Sequence, residues 1–375
     1  MRALVTGSEG FIGRNLCVRL RERAGTEIIP VHRGTSDEAL REGVGRCDFV
    51  FHLAGVNRPQ DPAEFMAGNR DFTARLAALV AARGGGVPVI VSSSTQAERD
   101  NPYGQSKRAG EDALLSAIPD APDSVHVFRL PNVFGKWSRP NYNSAVATFC
   151  HNIARGLPIN IHDPASPVSL VYVDDVIDAF FRILDAHAKG ERMPGGPQRT
   201  VEPVYTTTVG EMAGHIRRFH DTRRELGIDP VGTGFLRALY ATYLSFLPKE
   251  DFAYPITRHV DPRGAFAEML RTRDSGQFSF FTAHPGITRG GHYHHTKNEK
   301  FLVLRGHARF RFRDIRSGTE HVIETRGADA RVVETVPGWA HDITNIGSDE
   351  MVVMLWANEA FDPAHPDTVA ARLAP

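Results

Sequence analysis

The 375-residue sequence has few cysteines, no net charge and no long apolar run. Its three cysteines (Cys17, Cys47 and Cys150) are scattered and odd in number, which argues against a disulfide framework and predicts reduced thiols in the cytosol. The 44 basic residues balance the 44 acidic ones, which argues against nucleic acid or an anionic membrane as a bulk electrostatic partner. Because no apolar stretch approaches membrane-spanning length and the first residues lack a signal-peptide pattern, we expect a cytoplasmic protein.

The rest of the composition is that of an ordinary globular protein, with 41% hydrophobic and 23% charged residues. A chain of this length is long for one hydrophobic core, which predicts two domains. Strands and helices alternate in the first part, whereas short β-branched and aromatic segments broken by glycine dominate from residue 252 onward. We therefore expect an α/β domain over residues 1–247 and an all-β domain, a small antiparallel barrel, over residues 248–375.

A glycine triplet lies between the first predicted strand, residues 1–6, and the helix that follows it. Gly7, Gly10 and Gly13 permit a tight turn, close approach of the backbone to a pyrophosphate, and tight helix packing, with the phosphate charge at the helix N-terminus. The alternative is a glycine-rich loop that binds no ligand. The strand before the triplet and the helix after it favour dinucleotide binding.

The residues that follow the second predicted strand (Glu27 to Val31) help to distinguish NAD from NADPH as the cofactor. An NAD enzyme usually carries an acid near this point to bind the ribose 2′-hydroxyl. This sequence has Arg33, whose guanidinium suits a 2′-phosphate. We therefore expect NADPH, the alternative being that Arg33 is only a solvated surface residue.

A group suited to carbonyl reduction follows the fourth predicted strand. Tyr103 and Lys107 are four residues apart, which places both side chains on one face of a helix. A tyrosine has an unperturbed pKa of about 10, and a nearby ammonium favours the phenolate. A serine can hold a substrate carbonyl while hydride arrives and Tyr103 donates a proton. The serine run leaves both Ser93 and Ser94 open for that role.

The Gly-x-x-Gly-x-x-Gly spacing and the Tyr-x-x-x-Lys pair resemble those of the extended short-chain dehydrogenase/reductase superfamily. The resemblance implies an α/β Rossmann fold, assigns the catalytic serine to Ser94 and gives Asn132 a substrate contact. Dehydratases of this branch carry an Asp-Glu pair where Thr95 and Gln96 stand, so no acid-base pair for loss of water is present. The cofactor contacts that the resemblance implies are Gly7, Gly10, Phe11, Ile12, Gly13, Leu53, Ala54, Gly55, Tyr103, Lys107 and Val133.

Three histidines and a glutamate in the second domain have the pattern of a metal site. His292 and His294 are two residues apart, so in a strand both imidazoles point to one face. Glu299 follows them, and His341 follows a later turn. Ligand chemistry alone allows zinc, iron, manganese or nickel. The alternative is a metal-free barrel whose histidines contact sugar or pack in its interior.

The spacing from Gly286 to Gly306 and from Gly338 to Asn345 resembles the two cupin motifs, and Asp261–Glu268 resembles a segment of the deoxysugar 3,5-epimerases. Together, both domains closely resemble the bifunctional capsule-sugar enzymes that precede UDP-N-acetyl-L-fucosamine, in which a reductase is fused to a metal-dependent cupin epimerase. The resemblance implies zinc, a UDP-4-keto-6-deoxy-N-acetylhexosamine substrate and the product UDP-2-acetamido-2,6-dideoxy-β-L-talose. We also expect a homodimer.

The group that would move the C3 proton of the sugar is less clear. Lys297 is the candidate, with Lys300 nearby, and a merely solvated lysine is the alternative. Two other functions stay open at this point. One is a 4-keto-sugar reductase whose second domain only binds or dimerises, and the other is an iron oxygenase, because related barrels use the same ligands.

Overall fold

A computed structural model describes residues 1–84, 86–119, 122–191, 193, 196–225, 227–261, 264–267, 270–272, 276–359 and 364–373. The chain divides into two compact units: unit 1 comprises Met1–Arg139 and Val168–Thr206, and unit 2 comprises Pro140–Pro167 and Thr207–Pro375. The predicted boundary near residue 248 falls inside unit 2, where its helices give way to strands, and as a domain boundary it stays a prediction. None of the helices in the described part of the chain is both long and apolar enough to span a bilayer.

The helices alternate with strands in unit 1, and in unit 2 they precede the strands of the two larger sheets. In chain order they are α1 (Phe11–Arg21), α2 (Asp37–Arg46), α3 (Ala63–Phe65), α4 (Phe72–Ala82), α5 (Pro102–Ala117), α6 (Ala145–Ile153), α7 (Val173–Ala188), α8 (Val209–Glu225) and α9 (Gly234–Leu244). Of these, α6, α8 and α9 belong to unit 2. Met66–Asp71 forms a π-helical turn that joins α3 to α4.

Unit 1 is built on a parallel sheet with strand order β2-β1-β3-β4-β5-β8. Its strands are β1 (Arg2–Thr6), β2 (Glu27–Val31), β3 (Phe49–His52), β4 (Val89–Ser94), β5 (Val125–Leu130) and β8 (Gln198–Arg199). A smaller sheet contains β6 (Asn132–Phe134), β7 (Pro167–Tyr172) and β9 (Tyr205–Thr208).

The central sheet of unit 1 is apolar on both faces. All four residues of β3 and the last four of β1 are buried, as expected for parallel strands covered by helices. The strand order reverses between β1 and β3, and such a reversal opens a crevice at the carboxyl ends of the strands. The predicted Rossmann-like α/β fold is therefore confirmed.

The strands of unit 2 form two larger antiparallel sheets, ordered β11-β20-β17-β22-β15 and β19-β18-β21-β16-β23. Its strands are β10 (Gly227–Ile228), β11 (Ala253–Pro255), β12 (Arg258–Asp261), β13 (Gly264–Ala267), β14 (Arg271–Thr272), β15 (Gln277–Ala283), β16 (Thr288–Tyr293), β17 (Glu299–Arg305), β18 (His307–Asp314), β19 (Glu320–Arg326), β20 (Arg331–Glu334), β21 (Trp339–Asn345), β22 (Met351–Ala357) and β23 (Val369–Ala370).

The two sheets of unit 2 pack against each other through aromatic side chains. The rings of Phe301 on β17 and Phe310 on β18 have centroids 5.6 Å apart. The predicted all-β region is confirmed, and its cupin type stays a prediction. Within the segment that resembles the 3,5-epimerases, Pro262, Arg263 and Glu268 lie outside the described residues.

Candidate active site and metal centre

The glycine turn after β1 leaves the N-terminus of α1 open. Gly7 has a φ of +66°, and a Cβ at this position would lie 2.8 Å from the Ala54 nitrogen. Gly10 caps α1 without a side-chain hydrogen bond. Since the first N–H groups of a helix have no partner within it, the backbone of Phe11, Ile12 and Gly13 can bind an anion.

The loop after β3 is held beside this turn by a buried hydrogen-bond network. Thr6 Oγ1 accepts the N–H groups of Leu53 and Ala54, both at 3.1 Å, and lies 2.7 Å from His52 Nδ1. Thr73 Oγ1 donates to the Asn69 carbonyl oxygen, so His52 Nε2 must donate to Thr73 across their 2.7 Å contact. Burial, together with the charge of Lys107, lowers the pKa of His52 to about 3, so the ring is neutral. Sequence reasoning missed this network.

The serine run at the end of β4 divides between two environments because successive side chains of a strand alternate in direction. Ser93 is buried and donates to the Glu111 carboxylate. Ser94 is half-buried and close enough to the Tyr103 hydroxyl to act to lower the pKa of Tyr103. The structure therefore brings Ser94, and not Ser93, to Tyr103.

Tyr103 and Lys107 both lie on α5, whose first turn is fixed by its cap. Asn101 Oδ1 accepts the Gly104 N–H at 2.8 Å. Lys107 Nζ donates to the Ser92 carbonyl oxygen at 2.8 Å, and burial lowers the pKa of Lys107 to about 8. Burial raises the pKa of Tyr103, partly offset by Ser94, so the net direction is opposite to the expected effect of the ammonium.

Asn69 is a further residue that sequence reasoning missed. It lies in the π-helical turn, a distortion frequent at functional sites. Its Oδ1 accepts the Val56 N–H at 2.8 Å, and its Nδ2 donates to the Val56 carbonyl oxygen and to Ser106 Oγ, both at 2.9 Å. Asn69 thus joins the loop after β3 to α5. Gly55 lies at this junction, where a Cβ would be 3.4 Å from Lys107 Nζ.

The remaining predicted residues of unit 1 lie on other elements. Arg33 is exposed, two residues after β2. Asn132 and Val133 lie on β6, in the smaller sheet: Asn132 Nδ2 donates to the Ser169 carbonyl oxygen at 3.3 Å, and Val133 pairs with Val171.

The four predicted metal ligands of unit 2 converge on one point. His292 on β16 lies opposite His341 on β21, while Glu299 begins β17 in the other sheet. His294 Nε2 and His341 Nε2 lie 3.3 Å and 3.4 Å from Glu299 Oε2. One ligand atom from each of the four residues lies within 4.8 Å of the others. Ligand atoms of a tetrahedral ion with bonds of about 2.1 Å are about 3.4 Å apart, so the two separations from Glu299 match those around a bound divalent metal.

The hydrogen bonds of the imidazoles also suit a metal. His294 Nδ1 donates to the Asp367 carbonyl oxygen, and His341 Nδ1 donates to that of Trp339 at 3.3 Å. In the neutral rings both Nε2 atoms therefore direct a lone pair at Glu299. Lone pairs facing a buried carboxylate repel it, so either protons on the two Nε2 atoms or a bound cation would have to lie between them.

The charge states of the other ligands are compatible with metal binding. Burial, then the charges of His341 and His294, lower the pKa of His292 to about 4. Burial acts to raise the pKa of Glu299, but the adjacent His294 and His341 outweigh it and hold that pKa well below its usual value. At neutral pH the set therefore offers a neutral imidazole and an ionised carboxylate, the forms that bind metals.

The two lysines beside the cluster lie in different environments. Lys297 is half-buried, with its Nζ 3.4 Å from Glu299 Oε1. Lys300 is buried one residue after Glu299, where it pairs with Glu334 and lies 3.3 Å from the Tyr254 hydroxyl. Adjacent residues of a strand point to opposite faces, so Lys300 points away from the cluster.

Two families match the chain: the NAD dependent epimerase/dehydratase family matches residues 3–194, and the polysaccharide biosynthesis C-terminal domain matches residues 259–369. The UDP-2-acetamido-2,6-beta-L-arabino-hexul-4-ose reductase of Pseudomonas aeruginosa is 55% identical over 373 residues, which cover 100% of this chain and 99% of that protein.

Solved structures show the same similarity. The capsular polysaccharide assembling protein CapF from Staphylococcus aureus is 39% identical, with a TM-score of 0.67 and full coverage of both chains. UDP-glucuronic acid 4-epimerase from Bacillus cereus, in complex with NAD, is 17% identical with a TM-score of 0.50. The alignment covers 59% of this chain and 84% of the epimerase chain. At 17% identity, the similarity supports only the fold of the aligned part of this chain.

Proposed function

Because the chain belongs to the NAD dependent epimerase/dehydratase family, we propose that it is a bifunctional nucleotide-sugar enzyme. In this proposal unit 2 inverts C3 of a UDP-2-acetamido-2,6-dideoxy-4-hexulose, and unit 1 reduces its C4 ketone. One observation carries the proposal: a single chain holds both a Ser94–Tyr103 pair beside Lys107 and a converged set of three imidazoles and a carboxylate. The relative from P. aeruginosa, a 4-hexulose reductase by name, supports the substrate class.

In the reductase half, NADPH would supply the hydride to C4. The open N-terminus of α1 suits its pyrophosphate, and exposed Arg33 suits a 2′-phosphate. Ser94 would hold the ketone oxygen, and Tyr103 would donate the proton to it. Asn132 is proposed to contact the sugar, and Val133 the cofactor.

In the epimerase half, a divalent ion, proposed to be zinc, would be held by His292, His294, Glu299 and His341, and would stabilise the enolate as a Lewis acid. The C4 ketone makes the C3 proton acidic because its removal gives this enolate. Lys297 is the residue proposed to move that proton, since its Nζ lies 3.4 Å from Glu299 Oε1, and it would take the proton up as the free amine. Return of a proton to the opposite face inverts C3.

The two reactions have a natural order. Once the C4 ketone has been reduced, the C3 proton is no longer acidic, so epimerisation must come first and reduction then fixes the configuration. The product would be UDP-2-acetamido-2,6-dideoxy-β-L-talose. A capsule-related pathway fits the S. aureus protein, which is described as a capsular polysaccharide assembling protein. The homodimer and the cytoplasmic location stay predictions.

The product tests this proposal directly. Zinc-loaded protein, UDP-2-acetamido-2,6-dideoxy-4-hexulose and NADPH are incubated together, and the product configuration is determined by NMR. We expect a C4 alcohol with inverted C3. A C4 alcohol with the original C3 configuration would instead identify a simple 4-keto-sugar reductase. As a control, metal-stripped protein should give the uninverted alcohol.

A further inference from the structure

The loop between β16 and β17 carries metal ligands at both ends and has its backbone fixed by side chains from elsewhere in unit 2. His294 opens the loop, and Glu299 follows its last residue. Five consecutive N–H groups, those of residues 295–299, are each accepted by a side-chain oxygen. The Asn298 N–H donates to Asn358 Oδ1, and the Glu299 N–H donates to Thr335 Oγ1, both at 2.8 Å.

Asp367 accepts the other three N–H groups. Oδ1 accepts the N–H of His295 at 2.8 Å. Oδ2 accepts the N–H groups of Thr296 and Lys297 at 2.6 Å and 2.7 Å. The Thr296 hydroxyl also donates to Oδ2, at 2.9 Å. A carboxylate that accepts four hydrogen bonds from one loop fixes the backbone of that loop.

Asp367 also acts on a metal ligand through its own backbone. Its carbonyl oxygen accepts His294 Nδ1, which orients the ring so that Nε2 points to Glu299. The segment that carries Asp367 is anchored next to the ligand strand, because β23 pairs with β16 and the Ala371 N–H donates to the Gly291 carbonyl oxygen at 2.8 Å.

A helix of unit 2 supports the same loop from another side. Arg237, on α9, donates to Thr296 Oγ1, and its Nε lies 3.6 Å from Glu359 Oε2. Thr296 thus accepts from Arg237 and donates to Asp367. These contacts connect α9, the loop and the C-terminal segment in one polar network.

We propose that Asp367 is a positioning residue for the metal centre, which sets the direction of His294 and the separation of His294 from Glu299. Partners that orient a ligating histidine typically contribute a factor of about 10–100 to metal affinity. Asparagine has the same shape as aspartate but would turn an NH₂ group toward donors that need an acceptor. This role rests on the proposed metal site, and it extends that site to the last described residues of the chain.

The test compares Asp367→Asn with wild type in the full-length protein. Zinc affinity is measured by competition with a chelating dye, and the unfolding temperature of the metal-free protein is measured in parallel. The matched control is Asp329→Asn, because Asp329 Oδ2 likewise accepts a backbone N–H, that of Arg326 at 2.8 Å, and a threonine hydroxyl, that of Thr325 at 3.4 Å.

We expect D367N to bind zinc at least about tenfold more weakly than wild type and D329N to bind it equally well. The d–d spectrum of bound cobalt(II) should also change in D367N alone. Wild-type affinity in folded D367N would overturn the proposal. If D367N does not fold, Thr296→Val is tested instead, because it removes the hydroxyl that donates to Asp367. Weaker zinc binding by this variant than by wild type supports the role of Asp367, and equal binding overturns it. A wild-type chain that binds no zinc overturns the metal centre itself, a result distinct from equal binding by wild type and D367N.

Discussion

Lys107 and Glu111 lie one helical turn apart on α5, and the charge of the lysine depends on the glutamate. Burial lowers the pKa of Lys107 to about 8, and the negative charge of Glu111 opposes that shift. Glu111 is itself buried and pairs with Arg129, with Nη2 2.6 Å from Oε2. The proposed reduction uses the ammonium form of Lys107, so reductase activity should fall as the pH rises through about 8.

Glu111→Gln should move that loss of activity to lower pH. The substitution removes the negative charge of Glu111, which favours the ammonium form of Lys107. The positive charge of Arg129 remains and disfavours that form, so the pKa of Lys107 should fall by roughly one unit. The measurement is the pH dependence of NADPH oxidation with the 4-keto substrate. Glu98→Gln is the control: Glu98 pairs with Arg129 at 3.0 Å but is exposed. Equal profiles for E111Q and wild type would contradict the coupling.

At this scale the sequence predicts which residue types do the chemistry but not all of their partners. Strand alternation already separates Ser93 from Ser94, although the spacing alone does not say which one faces Tyr103. Burial raises the pKa of Tyr103 and outweighs the opposite effect of Ser94, and the Tyr-x-x-x-Lys spacing does not reveal this burial. Asp367 is 72 residues from His295, and no local pattern links them.

Buried ion pairs between charged side chains connect helix α8 to the strands of unit 2. Glu334 on β20 is 1% exposed and pairs with both Arg223 on α8 and Lys300 on β17. Burial, then the charge of Arg223, lowers the pKa of Lys300 well below its usual value. Arg223 cannot lose its proton, so the carboxylate is what compensates its charge.

Glu334→Gln should destabilise unit 2 strongly. Removal of one partner of a buried ion pair costs about 3–5 kcal/mol, because the remaining charge stays desolvated. Glu324→Gln is a matched control, since Glu324 also has two partners, Arg309 at 2.9 Å and His307 at 3.5 Å, but is exposed. An exposed pair contributes about 0–1 kcal/mol. The free energies of unfolding are compared by chemical denaturation, and similar small losses in both variants would refute the role of the buried ion pairs.

Helices and strands with strong hydrophobic periodicity could be located from the sequence, and the others could not. The predicted bounds of β2 agree with the structure. Helix α2 was missed, and its two glycines, Gly43 and Gly45, weaken the helical pattern. The π-helical turn at Met66–Asp71, which places Asn69, could not be predicted, because hydrophobic periodicity does not distinguish one wider turn from ordinary helix.

The two-part nature of the chain could be predicted because each part carries its own motif. The boundary near residue 248 stays a prediction, and α8 and α9, which precede it, lie in compact unit 2. The reason is long-range pairing: Arg223 reaches Glu334 and Arg237 reaches Thr296, across 111 and 59 residues of sequence.

For the whole molecule, the central claim is that unit 2 activates the C3 proton independently of reduction in unit 1. Zinc-loaded protein is incubated in D₂O with UDP-2-acetamido-2,6-dideoxy-4-hexulose and no NADPH, and deuterium at C3 is measured by NMR and mass spectrometry. We predict C3 deuteration by wild type and by Tyr103→Phe, although Tyr103→Phe should no longer oxidise NADPH when it is added. Absence of C3 deuteration by zinc-loaded wild type would contradict the account.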